Sequence, residues 1–286
     1  MARMRNENKA TNTKNTYMSA VKSAMREHAN VHGTVAAYGA DDPFESEWVK
    51  AISDGYDRLH GQENPGGDNQ SWALTLDQLR TIIRSMDLTQ LANLRDATAM
   101  VLAFWSLLRA GEYTYNPKPE APWEETPVLT RGFVTPDEDG LSVFLAKSKV
   151  DQRWRGVTLP VGRRGDDVCP QFWVQRWKDA TNILRDDDPL FCNVHGPLDM
   201  VNFPVTPLTY QNFASRFKDH CRRALGPEAA EHLSTHSLRA GGATWMLDNG
   251  VAKETVKRLG RWKSKAWKRY YRLRIHPFRM ATRGRR

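Results

Sequence analysis

Apolar residues recur at helical spacing in several separate stretches of the chain, and each stretch predicts an element. The first is "KNTYMSAVKSAMREHANVHG", with Tyr17, Ala20, Val21, Ala24 and Met25 on one face and a terminal Gly33. A second helix is predicted in "DDPFESEWVKAISDGYDRLHG", with Pro43 near its start. "QENPGGDNQSWA" then breaks the pattern with Pro, Gly, Asn and Asp residues. That break places a domain boundary near Asp68, dividing a small helical piece (1–68) from a larger domain (69–286). Beyond it, "LTLDQLRTIIRSMDL" predicts a helix with Thr75 as its N-cap. "LRDATAMVLAFWSLLRAGEYT" is apolar enough to be a helix buried on several sides, running to Arg109. The runs Leu141–Ala146 and Val157–Val161 have strand character around a polar turn. "CPQFWVQRWKDATNIL" and "PLTYQNFASRFKDHCRRAL" return to helix, followed by "HSLRAGGATWMLDNG" and a last helical stretch from Lys253 to about Tyr271. The expected fold is mostly α with a small antiparallel β-sheet (α+β).

Charge alters this picture at one end. The 286 residues carry a formal net charge of +9, which favours a polyanionic partner. From Ala252 to Arg286 there are fourteen Lys or Arg and one acidic residue, a net of +13 that leaves the rest of the chain at −4. Trp262, Trp267, Tyr270 and Tyr271 are interleaved with those charges, which argues against a purely disordered tail before about Leu273. Cys169, Cys192 and Cys221 are widely spaced and form no CxxC pair, so neither a zinc site nor a disulfide framework is expected. No apolar run approaches the length of a membrane span, and the polar start lacks a signal core. These features predict a soluble intracellular protein of a reducing compartment.

The candidate chemistry is that of a phosphodiester. Such chemistry needs cations on the non-bridging oxygens, an in-line nucleophile, an acid and a base. His236 and Arg239 are three residues apart at the start of a predicted helix and share its face. Arg109 lies in "SLLRAGEY", with Glu112 as a potential anionic partner. Lys147 and Lys149 lie in the turn "AKSKVDQ", and Trp262 precedes the tandem Tyr270 and Tyr271 in "LGRWKSKAWKRYYR". Taken singly, each has an ordinary reading as a capped helix, a solvated turn or an aromatic packed on the core.

Arg in "LLRAGE", Lys in a β-hairpin, HxxR followed by "GGAT", "LGRW", and then Tyr occur in the order that resembles the tyrosine recombinase (phage integrase) family. The resemblance spans roughly Leu74 to Arg272, and the "GRWKSKAWKRYYR" form is most similar to recombinases of eukaryotic mobile elements (DIRS-like, Ngaro-like or crypton-like) and some phage integrases. It implies site-specific cutting and rejoining of double-stranded DNA through a 3′-phosphotyrosine, with no cofactor and no metal. It implies that Arg109 and Arg239 clamp the non-bridging oxygens, that His236 accepts the Tyr proton or holds the phosphate, and that Trp262 donates its indole N–H and packs the site. Lys149 is preferred to Lys147 because relatives commonly show Ser-Lys-x-x-Gln there. Two rulers disagree over the nucleophile: nine residues from Trp262 gives Tyr271, whereas the GRWxSxAxxxY register gives Tyr270, which is preferred. The resemblance also implies a homo-tetramer assembled on DNA, a shortened core-binding domain in residues 1–68, and no membrane or small-molecule substrate. A nuclear location is expected in a eukaryote and the nucleoid in a bacterium or phage. Two other readings remain: a type IB topoisomerase, and a domesticated DNA-binding protein without catalysis.

Overall fold

The computed structural model describes residues 18–20, 71–117, 123, 128–146, 156–195, 200–201 and 204–262. The chain divides into two units, Met1–Gln70 and Ser71–Arg286. In the first unit only Met18–Ala20 is described, as helix. The rest of the two predicted N-terminal helices lies outside the described residues, as do Lys147, Lys149, Tyr270, Tyr271 and the basic end.

The second unit is built around α2 (Leu91–Trp105). Every residue of α2 from Asn93 to Trp105 is buried, because small side chains (Ala97, Ala99, Ala103) alternate with large ones and let neighbours close in on all sides. α1 (Leu76–Arg84) packs one amphipathic face inward through Leu76, Leu79, Ile82 and Ile83. Thr75 caps it in a capping box with Gln78, as its sequence predicts. The three-stranded sheet orders β1 (Val134–Pro136), β2 (Gly140–Leu145) and β3 (Val157–Gly162), all antiparallel. Val143 lies opposite both Val134 and Leu159, and the alternation of Leu141, Val143 and Leu145 turns one face to the core. The strand β1 and the two-residue pair β4 (Val194–His195) and β5 (Met200–Val201) carry no periodicity long enough to announce them.

α4 (Pro170–Ala180) and α5 (Tyr210–Leu225) flank α2, with α6 (Pro227–Glu231) short beside α5. Then come α7 (Thr235–Asp248), which packs on α2, and α8 (Lys253–Leu259). Among the described residues no helix is long and apolar enough to cross a membrane. The three cysteines are buried and unpaired.

Two sequence expectations change. The apolar helix stops at Trp105 rather than reaching Arg109, which instead sits in extended backbone at the N-cap of α3 (Ala110–Tyr113). The helix that starts at Lys253 stops at Leu259, and the stretch from Lys263 to Tyr271 lies outside the described residues. Both stops have the same cause. Leu107 and Arg261 adopt left-handed backbone, with φ of 47° and 55°. The following N–H closes back on the helix in each case: Leu108 N–H donates to Ala103 O, and Trp262 N–H to Lys257 O. α7 ends in the same cap, but with Gly250 at the left-handed position (φ 80°) and Val251 N–H donating to Met246 O.

Candidate active site

The two caps without glycine meet. Arg239 leaves the first turns of α7 and is 1 % exposed. Its Nη1 donates to Leu107 O and its Nη2 to Gly260 O. Arg261 Nη2 donates to the same Leu107 carbonyl at 3.0 Å, and to Glu112 Oε2 at 2.6 Å. Arg261 Nη1 donates to Leu259 O at 2.7 Å. Glu112 also accepts from Arg109 twice, through Nη1 at 2.8 Å and through the backbone N–H at 2.7 Å. Three arginines from distant parts of the chain therefore converge on one carboxylate and one main-chain oxygen.

Why α7 comes this close follows from the Gly-Gly in its sequence. A Cβ on Gly241 would lie 1.9 Å from Leu74 O, and one on Gly242 1.9 Å from Phe104 O. Only hydrogen fits at those contacts, and neither backbone oxygen is free to retreat. Leu74 N–H also donates to Ser237 O, so the helix is fixed against the start of the unit as well as against α2. That approach is what places the Arg239 guanidinium under the α2 cap.

Trp262 completes this side. Its ring lies 4.4 Å from Arg239 Cζ, a cation–π contact. Gly260 leaves room for it, since a Cβ there would meet the indole at 2.0 Å. His236 is the second residue of α7, after the Ser234 cap, and is exposed. The shared helix face therefore does not give His236 and Arg239 equal burial: the arginine points inward and the histidine stays at the surface.

Arg109 is the open arginine, with 22 % of its side chain exposed. Glu112 orients it through Nη1, and Nε and Nη2 have no partner among the described residues. A small cleft beside Glu112 is lined by Gly111, Glu112, Leu129, Phe144, Leu145 and Ala146. Strand β2 thus ends next to Glu112. Burial lowers the pKa of Arg261, Glu112 raises it and the neighbouring Arg109 lowers it again. Arg261 escapes sequence reading because it is one more basic residue in a basic segment. Its only signal is its place between Gly260 and Trp262.

Residues 156–275 match the model of the phage integrase family. That segment carries the likeness to the tyrosine recombinases (phage integrase family). The matched segment contains His236, Arg239, Trp262 and both candidate tyrosines. It does not contain Arg109, Lys147 or Lys149; for Arg109, it is the fold that brings the residue to this recombinase domain. Among solved structures, XerA recombinase is similar over 95 % of this chain and 96 % of its own, with 13 % identity and a TM-score of 0.48. A DNA-bound lambda integrase (residues 75–356) is similar over 77 % of this chain and 67 % of its own, at 14 % identity and TM-score 0.44. A lambda integrase tetramer on a Holliday junction is similar over 86 % of this chain and 64 % of its own, at 14 % identity and TM-score 0.43. No curated protein matches the chain. The likeness to the tyrosine recombinases rests on the family match over residues 156–275, not on these superpositions.

Proposed function

We propose that this tyrosine recombinase cuts and rejoins double-stranded DNA at the arginine cluster, with Tyr270 as nucleophile. The observation that carries this reading is the convergence of Arg109, Arg239 and Trp262 around Leu107 O and Glu112 in a chain with a phage integrase domain. In the proposed step the Tyr270 phenolate forms a bond to phosphorus and the bond to the 5′ oxygen breaks. Arg109 donates through its free Nε and Nη2 to a non-bridging oxygen, and Arg239 adds a second cation. Charge developing on those oxygens is what a fixed guanidinium pair stabilises most. His236 takes the phenol proton, and Lys149 gives one to the leaving 5′ oxygen, which becomes the free 5′-hydroxyl. A 5′-hydroxyl from another strand reverses the step, so the bond energy is kept in the phosphotyrosine. Exchange between two duplexes needs four such sites, which is the argument for a homo-tetramer assembled on DNA. Residues 1–68 serve as a small core-binding domain, and the mobile-element form of "GRWKSKAWKRYYR" supports a role in element integration or transposition.

The test begins with a random-sequence duplex library carrying a nick that lets the cut end diffuse away. Wild type should yield a denaturant-resistant protein–DNA adduct whose DNA, once sequenced, gives the cleavage site. Tyr270→Phe should form no adduct while binding the recovered duplex within a few-fold of wild type. Full adduct from Tyr270→Phe, with loss in Tyr271→Phe, would move the nucleophile to Tyr271.

A further inference from the structure

A carboxylate that orients an arginine also cancels its charge. Arg109 paired with Glu112 alone would sum to zero, and a phosphate approaching a neutral pair gains little Coulomb energy. Arg261 changes that sum. Its Nη2 takes the Oε2 of the same carboxylate, and its other bonds go to the neutral carbonyls of Leu107 and Leu259. Among the described residues Glu112 is the only carboxylate within ion-pair distance of either Arg109 or Arg261. Two guanidiniums therefore divide one negative charge, and the trio keeps one net positive charge at the exposed edge of Arg109.

Beyond Glu112 and the neutral carbonyls of Leu107 and Leu259, the Arg261 side chain has no further hydrogen-bond partner among the described residues. It is 9 % exposed, and its Nε is buried without a hydrogen-bond partner. Its backbone holds a left-handed φ that Gly250 fills without strain in the equivalent cap of α7. A glycine there would close the helix with less strain, so the side chain is what the position supplies. Resting on the reading that Arg109 binds the scissile phosphate, we propose that Arg261 is a positioning residue that acts through Glu112. By drawing off part of the Glu112 charge, it lets that carboxylate orient Arg109 without neutralising it.

The experiment compares single-turnover cleavage of two versions of the recovered duplex. One has the ordinary scissile phosphodiester; the other has a methylphosphonate there, which carries no charge. Arg261→Met should cleave the phosphodiester about tenfold more slowly or worse, since the missing charge acts in a partly buried site. It should cleave the methylphosphonate within about threefold of wild type, because a neutral phosphorus centre does not draw on that charge. Adding Glu112→Gln to Arg261→Met should recover part of the phosphodiester rate, since it removes the carboxylate that cancels Arg109. Equal losses on both substrates in a folded variant, or no loss on either, overturns the proposal. If Arg261→Met does not fold, Arg261→Lys keeps a cation and should hold the phosphodiester rate within about threefold; a folded Lys variant slowed tenfold on both substrates overturns it equally. A wild type that forms no adduct at all sinks the recombinase reading and this inference with it.

Discussion

Two buried carboxylates in this domain each hold two arginines, yet they are put to different use. Asp96, fully buried in α2, binds Arg95 through Nε and Nη2, Arg216 through Nε, and His220 through Nε2. All three guanidinium nitrogens of Arg95 are bonded, the third to Cys192 O at 3.1 Å, and Arg216 spends Nη2 on Asn93. The backbone there is regular helix in α2 and α5. Around Glu112 the count of charges is the same, but Arg109 keeps two nitrogens uncommitted and Arg261 Nε is unpaired. The only two non-glycine residues with positive φ among the described residues, Leu107 and Arg261, both belong to this second cluster. Charge alone therefore does not mark the site. What distinguishes the second cluster is its uncommitted donors on Arg109 and Arg261 together with the left-handed backbone at Leu107 and Arg261.

That contrast is breakable by mutation. Asp96→Ala strands the buried Arg95 charge and should lower unfolding free energy by about 3–5 kcal/mol, read from denaturant titration. Burial pushes the Asp96 carboxyl up, but Arg95, the bond from His220 and Arg216 outweigh it, so it titrates below the ordinary aspartate range. A lowered folded pKa means the contribution is complete above pH ~4 and is lost as pH falls through the folded pKa. The gap between wild type and Asp96→Asn should accordingly shrink in acid. A gap that grows in acid would mean Asp96 is not held ionised.

Arg109→Ala should do the opposite to Asp96→Ala. It should slow cleavage on the order of a hundredfold, about 2.7 kcal/mol of transition-state stabilisation. Thermal stability should hardly move, because Arg261 still satisfies Glu112. An intact cleavage rate would remove Arg109 from the site. Gly242→Ala tests what seats the second cluster: forcing a methyl against Phe104 O should cost about 1–3 kcal/mol and slow cleavage by displacing Arg239. Loss of stability with an unchanged rate would detach the glycine pair from the chemistry. The smallest effect belongs to a third ion group, Arg80 and Arg84 with Asp167 on the surface. Asp167→Asn should cost less than about 1 kcal/mol, and less again in high salt.

Sequence reading succeeded where a pattern is local. The Thr75 cap, the buried α2, the paired strands β2 and β3 and the start of α7 all follow from spacing within one segment. It failed at the ends of α2 and α8, because Leu107 and Arg261 carry no propensity for left-handed backbone; tertiary contacts hold them there. Arg109, Arg239, Trp262 and Glu112 were legible as residues, and their meeting required the fold. Arg261 was legible as neither. His236 was legible as a residue, yet its exposure beside a buried Arg239 was not, since helical spacing assigns a face without a depth.

The Leu107 carbonyl has a consequence for how the chain is tied together. It joins Arg239 across 132 residues of chain and Arg261 across 154. Contacts of such long range close large loops, which costs chain entropy that the packed domain must offset. Without residue 261 that oxygen loses its second donor, and Glu112 keeps Arg109 alone as its arginine partner. The cluster around Glu112 is therefore complete only when Leu107 and Glu112 are folded together with Arg239 and Arg261, far from them in sequence.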